Sequence, residues 1–327
     1  MKHKTKLMLA LAAVCALAAV AAAGLVPAES AAETQGNDAD GKQEYTCGDY
    51  AYSLDENDNA VITKYNGSGT ELVIPNNIDG HRGTGIGDRA FEHKRSIAAV
   101  EIPEGITYIG ESAFRNCTSL KKIELPDSLE KIGKGAFDAC ERLRGIRIPS
   151  GVKRLEGSTF ICCMRMKDIE LPERLEYIGP DAVRYCCSLT EIKIPDSVTY
   201  IGSCAFSGCS SLKKIEIPYG VTTLPKYMMQ ECSDITEVVL PDTVKSIGKS
   251  AFVKCENLKK INIPEGTTSI GASAFAQCEA LGKISVPGSV TRIGTNAFKT
   301  QKCGLVIYCR CGSYAEKYAL DNDLEFA

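Results

Sequence analysis

Residues 120–140 read LKKIELPDSLEKIGKGAFDAC, and almost every apolar letter in this stretch returns 23 residues later. Prolines stand at 103, 126, 149, 172, 195, 218, 241, 264 and 287. Cysteines keep the same beat at Cys117, Cys140, Cys163, Cys186, Cys209, Cys232, Cys255 and Cys278, and so do Phe114, Phe137, Phe160, Phe206, Phe252, Phe275 and Phe298, with Val183 and Met229 in the two remaining places. A fixed period of this length is the mark of a solenoid, in which no single unit buries its own apolar face and stacked neighbours share one core.

Each letter has a task. In Ile123-x-Leu125 the alternation places two side chains on one face of a strand, and Pro126 ends the ladder because it lacks an N–H. Leu129-x-x-Ile132 supplies a second apolar pair, and Gly133 is expected at a corner of positive φ. Ala136 and Phe137 then point inward. About ten such coils, roughly 4.8 Å apart, would make a curved rod on the order of 50 Å long.

The flanks differ from the repeats. Lys2, Lys4 and Lys6 precede an apolar, alanine-rich run over residues 7–26 and then small residues, so residues 1–30 are expected to be a secretory signal peptide. Residues 31–44 are polar and are expected to be a linker without a place in the core. Residues 45–71 are assigned to an N-terminal β cap, with strands at 50–54 and 60–65 around a turn at 55–59. The solenoid is assigned to residues 72–304, with an insertion around 79–83 in its first unit, and a C-terminal cap to 305–327, where Ser313 is expected to start a short helix ahead of a closing strand at 324–326.

Removing Lys2, Lys4 and Lys6 leaves a mildly acidic chain, which lacks the basic excess of a nucleic-acid binder. No second apolar run is long enough to span a membrane. Sixteen cysteines in an exported chain invite a disulfide framework. A cysteine at one place per coil instead predicts an inward ladder of thiols, each acting as a small apolar group. Cys303, Cys309 and Cys311 lack the spacing and histidine neighbours of a zinc site, so no metal and no cofactor are expected, and a bridge involving Cys309 or Cys311 stays open. Gly83-x-Gly85-x-Gly87 superficially resembles a phosphate loop but carries no following lysine and falls on ordinary repeat positions. Once the leader is removed, His81 and His93 are the only histidines; neither sits near a nucleophile, and no enzymatic site is expected.

The repeated I-P-x-x-V-x-x-I-G-x-x-A-F-x-x-C-x-x-L, as in Ile194 to Leu212, resembles the BspA-like leucine-rich repeat of bacterial surface proteins, from about Leu72 to the C-terminus. The resemblance implies a leucine-rich-repeat-like solenoid, mainly β with short turns or 3-10 segments. It also implies a secreted or surface-exposed protein that binds an extracellular protein or glycan in adhesion or host contact, by residues the repeat leaves variable. A structural surface-layer component that self-associates and a glycan-docking accessory module are the competing readings. Two coils depart from the pattern, with Glu156 and Pro225 in the glycine place, and local distortion is expected there. The variable positions before Ile-Gly run Tyr108, Lys131, Arg154, Tyr177, Tyr200 and then Thr223, Ser246, Ser269 and Arg292. Tyrosine and arginine are enriched at binding hot spots, so Tyr108, Lys131, Arg154, Tyr177 and Tyr200 are candidate contact residues. Arg147 and Lys193 join them from the other strand, where charges of alternating sign predict cross-strand pairs.

Overall fold

A computed structural model describes residues 33–37, 41–299 and 304–327. The expected leader and Cys303 lie outside these residues. Four antiparallel strands open the described chain: β1 (Glu33–Asn37), β2 (Gln43–Cys47), β3 (Tyr50–Leu54) and β4 (Ala60–Tyr65). The polar segment expected as a linker thus supplies an edge strand, β1, because backbone pairing asks nothing of side-chain polarity. Asp55 fixes the turn between β3 and β4 by accepting hydrogen bonds from the Asn57 and Asn59 amides. Strand β5 (Glu71–Val73) begins the first coil, and the insertion folds as a small hairpin of β6 (Asn77–Ile78) and β7 (His81–Ile86).

From there the chain winds as a β-solenoid of about 11 turns at 23-residue spacing. Every coil has three sides. A short strand before the proline, such as Lys122–Glu124, pairs in parallel with Ala99–Glu101 of the previous coil; these strands form the proline ladder. A two-residue strand before the glycine, such as Lys131–Ile132, pairs with Tyr108–Ile109 and forms the glycine ladder. The third side is a pair of tight turns whose amides donate forward. Phe91 N donates to Ala113 O, Phe114 N to Ala136 O and Phe137 N to Thr159 O at 2.8–2.9 Å, and the row continues without a gap to Phe275 N and Ala297 O.

The core is a column running the length of this rod. Phe91, Phe114, Phe137 and Phe160 stack with centroids 4.9–5.6 Å apart, and Phe252, Phe275 and Phe298 do the same at 5.2–5.4 Å. Tyr65 stacks on Phe91 at one end, and Tyr318 meets Phe298 edge-on at the other. Tyr318 belongs to α1 (Tyr314–Asp321), which Ser313 caps by accepting from the Glu316 amide. The strand Glu325–Phe326 then adds to Val306–Cys309 at the end of the proline ladder.

The glycine after each Ile is not at positive φ, contrary to expectation; its reason is space. A Cβ on Gly133 would lie 2.5 Å from the carbonyl carbon of Gly110, and one on Gly271 2.5 Å from the amide nitrogen of Lys249. The positive φ falls instead on residues two and six places later, such as Ser112 and Asn116, Asp181 and Tyr185, Ser250 and Lys254. Each of these accepts the left-handed conformation because forward-donated hydrogen bonds hold the turns.

The expected distortion at Glu156 and Pro225 takes a definite form. Gly133 N donates to Ile109 O and Gly179 N to Leu155 O, both at 2.8 Å. Among the described residues no equivalent bond joins Glu156 to Ile132 or Pro225 to Ile201, and the glycine ladder is parted at both places. Pro225 has no N–H to give, and at Glu156 a side chain occupies a position with no room for one.

Candidate binding surface

Solvent reaches the outward positions of the glycine ladder, and strand pairing sets them in register. Arg154 lies opposite Tyr177 and Tyr177 opposite Tyr200. The Arg154 guanidinium sits 3.7 Å above the Tyr177 ring, and the Tyr177 and Tyr200 rings stack at 4.7 Å with 3° between their planes. Arg154 is fixed from its other side by Glu156, 2.9 Å away, and this hydrogen bond is the main reason its pKa is raised. Burial lifts the Tyr177 hydroxyl, and the neighbouring Tyr200 adds to the effect while Arg154 opposes it. Tyr200 closes the stack and remains 46% exposed. The result is a cation and two aromatic rings already ordered before any partner arrives, which lowers the entropy a partner must supply.

The other candidate residues are placed elsewhere. Tyr108 folds back over Gly85, where a Cβ would collide with its ring, and Lys131 pairs beside it. The first parting of the glycine ladder lies between Lys131 and Arg154, so the stripe is two groups. Arg147 and Lys193 stand on the proline side, bound to Asp127 at 2.6 Å and Glu173 at 2.9 Å across exposed pairs that add little stability. Lys260 and Lys214 reach Glu237 at 2.6 and 3.7 Å, which are the expected cross-strand pairs. Further large apolar side chains are exposed without a mark in the repeat, among them Tyr219, 69% exposed in the place other coils give to Glu104, Asp127 or Glu265, and Met164. A shallow groove of about 770 Å³ also lies near the C-terminal end, between Asp242, Glu265, Tyr308 and Arg310.

The periodic cysteines are buried, and each thiol donates to the backbone carbonyl 26 residues earlier. Cys117 reaches Phe91 O at 3.2 Å, Cys140 reaches Phe114 O at 3.3 Å, and Cys278 reaches Phe252 O at 3.1 Å. Burial pushes the thiols of Cys117, Cys232 and Cys278 from 9.0 up to about 12, and those of Cys140, Cys163, Cys209 and Cys255 well upward. Among the described residues no group of three or more His, Cys, Asp or Glu side chains is arranged to hold a metal ion, and no helix is long and apolar enough to cross a membrane. Gly83, Gly85 and Gly87 lie along and just after β7. His81 is held by Asp58 O at 2.8 Å and His93 lies 3.8 Å from Glu92, so neither is set against a nucleophile.

Comparison with known proteins adds the relatives. No curated protein matches the chain. Among solved structures it is similar to a leucine rich repeat protein of T. pallidum, at 28% identity over 72% of this chain and 89% of that one, with a TM-score of 0.47. It is also similar to a leucine rich cell surface protein of Faecalibacterium prausnitzii, at 26% identity over 84% and 97%, with a TM-score of 0.45. The BspA type leucine rich repeat region matches in six copies over residues 84–187 and 180–304. With its solenoid lying largely within those matches, the chain belongs to the BspA-type leucine-rich repeat family.

Proposed function

We propose that this is a secreted or cell-surface binding protein, which presents the glycine-ladder face of its solenoid to an extracellular protein in adhesion or host contact. The observation that carries this reading is the ordered stack of Arg154, Tyr177 and Tyr200, outward-facing and unrelated to the core. The apolar positions that repeat in each coil are spent on the shared interior, and His81 and His93 are tied to local partners, which supports recognition without chemistry.

The test is binding of the purified protein, reduced and oxidised, to a surface panel of extracellular host proteins and glycans. A saturable protein partner is expected, and Tyr177→Ser with Tyr200→Ser is expected to weaken it at least tenfold, the loss typical of a binding hot spot. Capture unchanged by the double substitution would remove the stack from the reading. The self-associating alternative has one observation of its own. The proline ladder ends at Glu71–Val73 and Glu325–Phe326, where Val73 and Phe326 are 47% and 40% exposed. Concentration-dependent sedimentation without any partner would favour it.

A further inference from the structure

We infer that the solenoid bends at two built-in hinges, and that residues 145–212 between them form a separately movable plate carrying the Arg154, Tyr177 and Tyr200 stack. The argument starts from the sheet pairings. The glycine ladder parts between Ile132 and Arg154 and again between Ile201 and Thr223. At both places the proline ladder is parted as well, between Glu124 and Gly145 and between residues 191–193 and Lys214. What remains of the backbone pairing on that side is one bond each, Arg144 N to Lys121 O at 3.3 Å and Lys213 N to Thr190 O at 3.2 Å, against 2.7–2.8 Å for Lys167 N to Arg144 O and Lys121 N to Ala98 O, with the exposed Arg147–Asp127 pair beside the first. Elsewhere only one ladder parts at a time. The proline ladder opens between Glu170 and 191 while Tyr177 stays paired with Tyr200, and between Ile261 and Lys283 while Ser269 stays paired with Arg292.

The turn side is intact across both partings. Gly135, Phe137 and Ala139 donate to Gly157, Thr159 and Ile161 at the first, and Cys204, Phe206 and Gly208 to Lys226, Met228 and Gln230 at the second. Two open sides and one closed side make a hinge whose axis is the closed side. The cause is local: Glu156 and Pro225 stand in the two places where every neighbouring coil has a glycine pressed against the backbone before it. Glu156 has a second effect, since its carboxylate also anchors Arg154 at the edge of the plate.

Hydrogen exchange read by mass spectrometry on the whole chain tests this. Peptides covering 153–156 and 222–224 are expected to exchange at least tenfold faster than those covering 176–179 and 245–248, about the population change that one net hydrogen bond makes. Amides 135–139 and 204–208 are expected to stay protected. Glu156→Gly is expected to slow exchange at the first place only and Pro225→Gly at the second only, while Gly179→Glu is expected to open a third. Equal exchange at 153–156 and 176–179 in the unaltered protein would overturn the hinges, whether or not the Gly179 variant folds. So would loss of protection in the turns at the same rate, because that is fraying of whole coils.

Discussion

The turn side and the glycine ladder of this solenoid repeat on the same 23-residue beat, yet they answer differently to changes of sequence. On the turn side Val183 and Met229 replace phenylalanine, and the row of forward-donated hydrogen bonds runs on: Val183 N meets Ala205 O at 2.9 Å and Met229 N meets Ala251 O at 2.8 Å. On the glycine ladder one side chain in place of one glycine is enough to part the strands. The turns hold by backbone bonds around an interior in which one apolar volume can stand for another. The ladder holds by close approach of two backbones, and a Cβ has no smaller substitute.

Alkaline pH should disturb this contrast most, because the thiols that line the turn side act together. A thiol whose folded pKa is raised keeps its full stabilising effect below the unfolded value near 9 and loses it as pH climbs toward about 12. Each buried thiol can withdraw up to about 1.4 kcal/mol per pH unit, so several of them exceed the ~5–15 kcal/mol of a typical domain. Denaturant midpoints are therefore expected to collapse between pH 9 and 11, and less steeply after Cys140→Ala with Cys163→Ala. A flat profile would mean that these thiols are already bonded or exposed.

Next in size is Phe137→Ala, between rings 5.6 and 5.4 Å away. It should cost about 3–5 kcal/mol in urea unfolding, whereas Phe137→Met should cost under ~1.5 kcal/mol, as volume-conserving exchanges do. Gly133→Ala should cost about 1–3 kcal/mol despite adding a single methyl, since a Cβ has nowhere to go. If the alanine variant proved as stable as the parent, close approach would no longer explain the ladder. The smallest expected change is Tyr177→Ser, a half-buried stacking partner outside the core whose loss should lower stability by no more than ~1 kcal/mol, leaving the melting temperature nearly in place while removing the stack.

Much of this is legible in the sequence alone, for specific reasons. The strand before Pro126, the inward Phe137 and the cysteine column follow from period alone, because a fixed beat forces equivalent residues into equivalent places. Tyr177 and Tyr200 were visible as a stripe, and in-register pairing made the stripe a stack. The role of Gly133 was misread because a glycine fits both a positive φ and a close contact, and sequence does not distinguish the two. The left-handed residues escaped altogether: Ser, Asp, Tyr, Cys and Lys share no signature, and the turns impose the conformation on whatever stands there. Arg147 and Lys193 are legible as outward positions of the other strand, and the structure adds their partners, Asp127 and Glu173.

The stack of Tyr177 on Tyr200 also has an optical consequence. The chain contains 13 tyrosines and no tryptophan, so its near-ultraviolet spectrum is a tyrosine spectrum, undimmed by transfer to a stronger fluorophore. Two phenol rings 4.7 Å apart and within 3° of parallel couple their transition dipoles. That coupling makes the absorption and emission of the pair depend on how the two rings overlap, so the difference in spectrum between the parent and a Tyr200→Ser variant, in which the Tyr45–Tyr52 and Tyr50–Tyr65 pairs are left in place, is an unlabelled reporter of whether the stack is assembled.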